Sequence, residues 1–239
     1  LACEWRKPGK RLCVLGFALA LGAFLLRWHT VRHVPLQNLF EVFLCLGMLC
    51  YPLSAFCERF LGVRLGAADA LVGLVVLFPA GFVFSAQPRG LPPALQTWLF
   101  APHVGAYMLA YVVLFKAGIQ AGRALFGGMR AAEGRRVSHE EATYRLVRMG
   151  LPLLTLGLVL GAVWGKAAWG DYWHWDPKEL WGLATWLVYV AYLQVREVFG
   201  TRHGRLNSLI ALGGVAVIGI TLLWANLGRL FAGLHSYAM

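Results

Sequence analysis

Seven apolar runs, at residues 12–28, 39–57, 66–85, 100–121, 146–165, 179–198 and 207–227, leave this chain few folds to choose from. Each is close to the ~20 residues that carry a helix across a bilayer. The hydrocarbon interior offers no water to backbone N–H and C=O groups, so helices are the expected form of such runs. Hydrophobic residues are 59% of the 239 and charged residues 14%, more apolar surface than a soluble protein of this size covers. The expected fold is therefore all-α: a polytopic membrane helix bundle of about seven transmembrane helices, with residues 1–239 forming one integral membrane domain. The first run reads as a span rather than a signal peptide. The second is the least regular, because Glu41 and Pro52 interrupt it.

A net charge of +11 in a soluble chain would suggest nucleic acid. Here the basic residues sort by loop instead. With the N-terminus inside, the inner side carries Arg6, Lys7, Lys10, Arg11, Arg59, Arg64, Arg123, Arg130, Arg135, Arg136, Arg145, Arg148, Arg196, Arg202 and Arg205. The outer side carries Arg27, Arg32, Arg89, Lys166, Lys178 and Arg229, and Lys116 falls within a span. The positive-inside rule favours this orientation. Membrane lipids, not nucleic acid, are the expected surroundings. The inner loop at 122–145 reads as solvated, with a capping box from Ser138 to Glu141 and with His139 as a solvated loop residue.

The expected orientation places "WGKAAWGDYWHWDPKELW", residues 164–181, on the outer face, with five tryptophans in eighteen residues. Gly165, Gly170 and Pro177 argue against one continuous helix through it. Scattered interfacial tryptophans are common in membrane proteins, but a belt spreads them over helix ends rather than gathering them in one connection. Trp164, Trp169, Trp173 and Trp175 suit a platform for a large flat apolar ligand, and a porphyrin fits that description. Asp176, Pro177 and Glu179 form a helix-start signature for the sixth span. None of the five cysteines (Cys3, Cys13, Cys45, Cys50, Cys57) lies in a C-x-x-C pair, so a disulfide framework, a zinc site or a redox dithiol is not expected, and haem could not be held covalently in the c-type way.

The chain has seven histidines, and an outward cluster of them could supply ligands to haem iron. His139 and His203 fall on the inner side. His29, His33, His103, His174 and His235 fall on the outer side. His103, at the end of the fourth span, and His235, just beyond the seventh, stand apart, because two different helices bring them to the depth of the platform.

The tryptophan stretch, continued as "WDPKELWGLATWL", resembles the tryptophan-rich WWD signature of the haem-handling proteins of cytochrome c maturation, and most closely the CcsA/ResC family. "VPLQNLFEVFLC" at 34–45, "TWLFAPHVGAYMLAY" at 97–111 and "LGRLFAGLHSYAM" at 227–239 are similar to three further family segments. The resemblance implies a subunit of a holocytochrome c synthase, a haem lyase that presents haem b at the outer membrane face for thioether attachment to apocytochrome c. It implies His103 and His235 as the axial ligands of the haem iron, with Trp164, Trp169, Trp173, Trp175 and Asp176 in the cofactor-binding region. The implied partners are a CcsB/ResB-type membrane subunit and an apocytochrome with its C-x-x-C-H segment. The implied location is the bacterial inner membrane, or a plastid thylakoid membrane. A haem relay of the CcmC kind and a b-type electron-transfer subunit are the competing readings. One departure stands out: family members often carry a histidine where this chain has Gln194, in "YLQVR", and glutamine is a poor iron ligand.

Overall fold

The structure is a computed structural model that describes residues 6–64, 66–127, 137–224 and 234–235. Its elements are α1 (Arg6–Val31), α2 (Leu39–Phe56), α3 (Ala67–Phe82), α4 (Phe100–Gly127), α5 (His139–Trp169), α6 (Pro177–Phe199) and α7 (Gly204–Gly219). A π-helical turn extends α2 over Cys57–Leu61, and another extends α7 over Ile220–Trp224. No strand occurs among the described residues.

Local chemistry sets the helix starts. The side chain of Asn38 accepts the Glu41 N–H to open α2, and Ser138 accepts the Glu141 N–H to open α5. Asp176 and Glu179 form a reciprocal capping box at α6, with Pro177 at the first position. Glu41 therefore stands in the first turn of α2, not in mid-span. Its carboxylate is fully buried and accepts from Arg27 Nε at 2.8 Å and from the Gln37 N–H at 2.9 Å. Pro52 lies inside α2 without ending it.

α4 is the central helix, packed against α5, α7 and α2, and most of its middle is buried. α1 packs on α2 and leaves much of its apolar surface exposed, as a lipid-facing helix does. Among the described residues, five stretches are long and apolar enough to cross a membrane: Gly9–Val31, Leu39–Leu61, Phe100–Gly127, His139–Trp169 and Pro177–Leu223. The last turns at Gly200–His203 into α6 and α7, which pack on each other. The expected all-α membrane bundle is thus the one observed. α3 has only 16 residues, or about 24 Å of helix against a hydrocarbon core of ~30 Å, so not all of the seven expected crossings are full-length spans.

Charges inside the bundle are paired. Lys116 of α4 meets Asp69 of α3 and donates to Ser54 of α2 at 2.5 Å. At the end of the bundle where α5 begins, Arg196 pairs with Glu140 at 2.5 Å, and Asn207 donates to the same carboxylate at 3.3 Å. His139 is not the solvated residue expected. It begins α5, and its Nδ1 lies 2.5 Å from Gln120 Oε1 on the buried side of α4. Cys13, Cys45, Cys50 and Cys57 are free thiols, the last three buried. Cys3, Arg130, Arg135, Arg136, Arg229 and the end of the seventh apolar run lie outside the described residues.

Candidate functional site

Two glycines in α5 seat the first candidate ligand. Gly157 and Gly161 are four residues apart and share a face of the helix. A Cβ at Gly161 would stand 2.6 Å from His103 Cε1, and one at Gly157 would stand 2.9 Å from the Tyr107 ring. Without side chains there, His103 and Tyr107, themselves one helical turn apart on α4, lie directly against the α5 backbone. His103 Nδ1 is 2.9 Å from the Gly157 carbonyl oxygen. A carbonyl only accepts, so Nδ1 carries the proton and Nε2 keeps the lone pair.

The second candidate is built alike with different parts. His235 Nδ1 lies 2.9 Å from Asp176 Oδ1, and the Leu234 N–H donates to Asp176 Oδ2 at 2.6 Å. Lys178 Nζ donates to the His235 carbonyl at 2.8 Å. Burial alone would raise the Asp176 carboxyl. The hydrogen bond and charge of His235, with the N–H groups of Lys178 and Leu234, outweigh it and hold the pKa down at about 2. In the neutral imidazole the proton again belongs on Nδ1, beside the carboxylate, and Nε2 is the nitrogen able to meet a metal.

Trp164 joins the two. Its indole is 2% exposed and donates through Nε1 to the Ala94 carbonyl at 2.9 Å. The His103 ring stacks on it, with centroids 5.8 Å apart and planes 24° apart. His235 lies 5.5 Å from Trp164 and 4.8 Å from Trp169, ring centre to ring centre. Trp164 and Trp169 meet edge to face at 4.6 Å. Four of the expected site residues, His103, His235, Trp164 and Trp169, therefore form one aromatic cluster, with Asp176 bound to its edge.

The other two do not join it. Trp173 and Trp175 contact each other at 6.2 Å, and Trp175 is 70% exposed with φ +58. The expected loop at 164–181 is also shorter than its sequence suggested. α5 runs through Gly165 to Trp169 and stops at Gly170, whose φ of +95 suits glycine, so only 170–176 is non-helical. Gly165 serves close approach instead, since a Cβ there would stand 3.3 Å from the Asp171 carbonyl oxygen. His174 reaches Trp169 and Glu179. His33 bonds to the carbonyls of Val34 and Arg89, away from the cluster. His29 is exposed, as is Gln194 on α6.

Sequence reasoning missed Gly157, Gly161, Tyr107 and Ala94, as well as the bond from Asp176 to His235. The G-x-x-x-G spacing in "GLVLG" was the available signal for the two glycines.

The chain is similar to known proteins along most of its length. Residues 13–231 match the model of the family described as cytochrome c assembly protein. A cytochrome c biogenesis protein CcsA of Synechococcus sp. (strain CC9311) is 35% identical over 260 residues, covering 92% of this chain and 84% of that protein. A CcsA of Prochlorococcus marinus (strain MIT 9303) is 32% identical over 267 residues, covering 95% and 82%. A third, of Synechococcus sp. (strain CC9902), is 33% identical over 268 residues, covering 97% and 87%. Matched by the family model over residues 13–231 and by these relatives along most of its length, the chain belongs to the CcsA family of cytochrome c assembly proteins.

Proposed function

We propose that the protein is the haem-handling subunit of a cytochrome c synthase and that it presents haem b between His103 and His235. The supporting observation is that both imidazoles, from opposite parts of the chain, have Nδ1 engaged by an acceptor and share one tryptophan as neighbour. In the neutral form of each ring, Nε2 is then the free donor, and two such donors are the set that bis-histidine iron requires. Trp164 and Trp169 supply apolar surface for a flat macrocycle. The vinyl groups of haem accept the two thiols of an apocytochrome C-x-x-C-H segment, with sulfur joining one carbon and hydrogen the other, so no oxidant is consumed. The protein's share is to bind, orient and keep two ligands in place, and no side chain acts as a nucleophile. The incoming histidine of the apocytochrome displaces one of the two. A CcsB/ResB-type subunit is the partner. The proposed orientation places the N-terminus inside and the tryptophan loop at the outer face of a bacterial inner or thylakoid membrane, by the positive-inside count.

An absorption spectrum of the purified protein tests the ligand pair. Wild type carries low-spin, two-histidine haem, and His103→Ala and His235→Ala each lose that signature. Retention of the wild-type spectrum by both variants refutes the reading.

A further inference from the structure

Asp176 reaches further than a helix cap needs to. Its Oδ1 accepts the Lys178 N–H at 2.9 Å as part of the α6 cap. A serine or asparagine would serve that purpose about as well. The remaining contacts lie on another segment: His235 Nδ1 on Oδ1, and the Leu234 N–H on Oδ2. The carboxylate side chain is 2% exposed, so both oxygens are committed inside the protein. Lys178, two residues on, takes the His235 carbonyl. The start of α6 thus holds His235 by its ring and by its backbone.

We propose that Asp176 is a positioning residue for His235. It keeps the proton on Nδ1, presents Nε2 beside Trp164 and Trp169, and strengthens the imidazole as a donor through the carboxylate charge. Carboxylate partners of ligating histidines act in this way in metal sites generally, and losing one typically costs about 10- to 100-fold in metal affinity or activity. The inference rests on the assignment of His235 as a haem ligand and adds what makes that ligand effective. It also makes the tryptophan loop and His235 one unit, because one carboxylate ends the loop and holds the histidine.

The test uses the full chain in detergent, titrated with haemin, with Asp176→Ser, Asp176→Asn and His235→Ala compared. Serine keeps the helix cap but is too short to hold His235, so haemin affinity falls by about 10- to 100-fold while helix content by circular dichroism is unchanged. Asparagine keeps the cap and an acceptor for Nδ1–H but lacks the charge and turns its NH2 toward the Leu234 N–H, so affinity falls less than in the serine variant and the haem midpoint potential rises. A role limited to capping predicts wild-type affinity and potential in both variants. That result, with His235→Ala weakened, overturns the positioning role alone. Wild-type binding and spectrum in His235→Ala overturn the ligand assignment and the inference with it.

Discussion

Gly161→Ala is the smallest change that should disable the proposed haem site without replacing a candidate ligand. The added Cβ would stand 2.6 Å from His103 Cε1 and 3.0 Å from Nδ1. Ordinary contact begins near 3.4 Å, so the ring must move by about 0.8 Å (3.4 less 2.6) or rotate away. Either motion strains the 2.9 Å bond from Nδ1 to the Gly157 carbonyl, which selects the tautomer. Overpacking of this kind costs about 1–3 kcal/mol. If the whole cost appears in the haem-competent state, haemin affinity drops roughly 5- to 140-fold. The assay is a haemin titration in detergent, followed by the low-spin absorption bands. Gly105→Ala is the control, because it lies two residues from His103 on the same helix and a Cβ there meets nothing within 4 Å. An affinity and spectrum for Gly161→Ala equal to those of Gly105→Ala would refute the argument that the α5 groove seats His103.

Two further outcomes follow from buried charge. Glu41→Gln leaves Arg27 without its anion in a buried site, which costs about 3–5 kcal/mol; thermal unfolding in detergent should fall sharply, and the double replacement Arg27→Met with Glu41→Met should recover most of the loss. Asp176 sits below its ordinary 3.8, at about 2. A depressed carboxyl contributes stability in full above its unfolded value and loses it as pH falls through the folded one. Tryptophan fluorescence of the wild type should therefore change between about pH 4 and pH 2 as the His235 contact is released, and Asp176→Asn should lack that step.

Much of this arrangement is legible in the sequence, because the strongest signals in a membrane chain are long-range in composition and local in cause. Five of the seven helices begin within three residues of an apolar run, α1 is already helical six residues before its run, and α5 begins seven residues early because Ser138 caps it. The early start of α5 adds the amphipathic turns that carry Glu140 and Glu141, which hydropathy alone discards. His103 and His235 were identifiable as a pair, since alternating spans return both to one end. What failed was the reading of glycine. Gly165 looked like a breaker and is a contact point inside a helix, whereas Gly170, five residues later, is the true stop with its positive φ. Propensity cannot separate the two, because the difference lies in what packs against each. The bond from Asp176 to His235 spans 59 positions and has no periodic trace at all.

The two histidines are held by different means, and the difference bears on how the site works. His103 leans on a backbone carbonyl within α5 and is boxed in by Gly161, Tyr107 and Trp164. To shift it, two packed helices must part. His235 depends on side chains, the carboxylate of Asp176 and the ammonium of Lys178, both from the first turn of α6. To shift it, two hydrogen bonds must exchange. Trp164 contacts both rings and is itself tied to Ala94, so the tryptophan excess divides by task. Trp164 and Trp169 pack against the candidate ligands, while Trp173 and exposed Trp175 stand outside the cluster. On the proposed function, a site with one candidate ligand fixed in the helix core and one held by exchangeable polar contacts would release a bound ring from one side while keeping it from the other, which a handover to an incoming histidine requires.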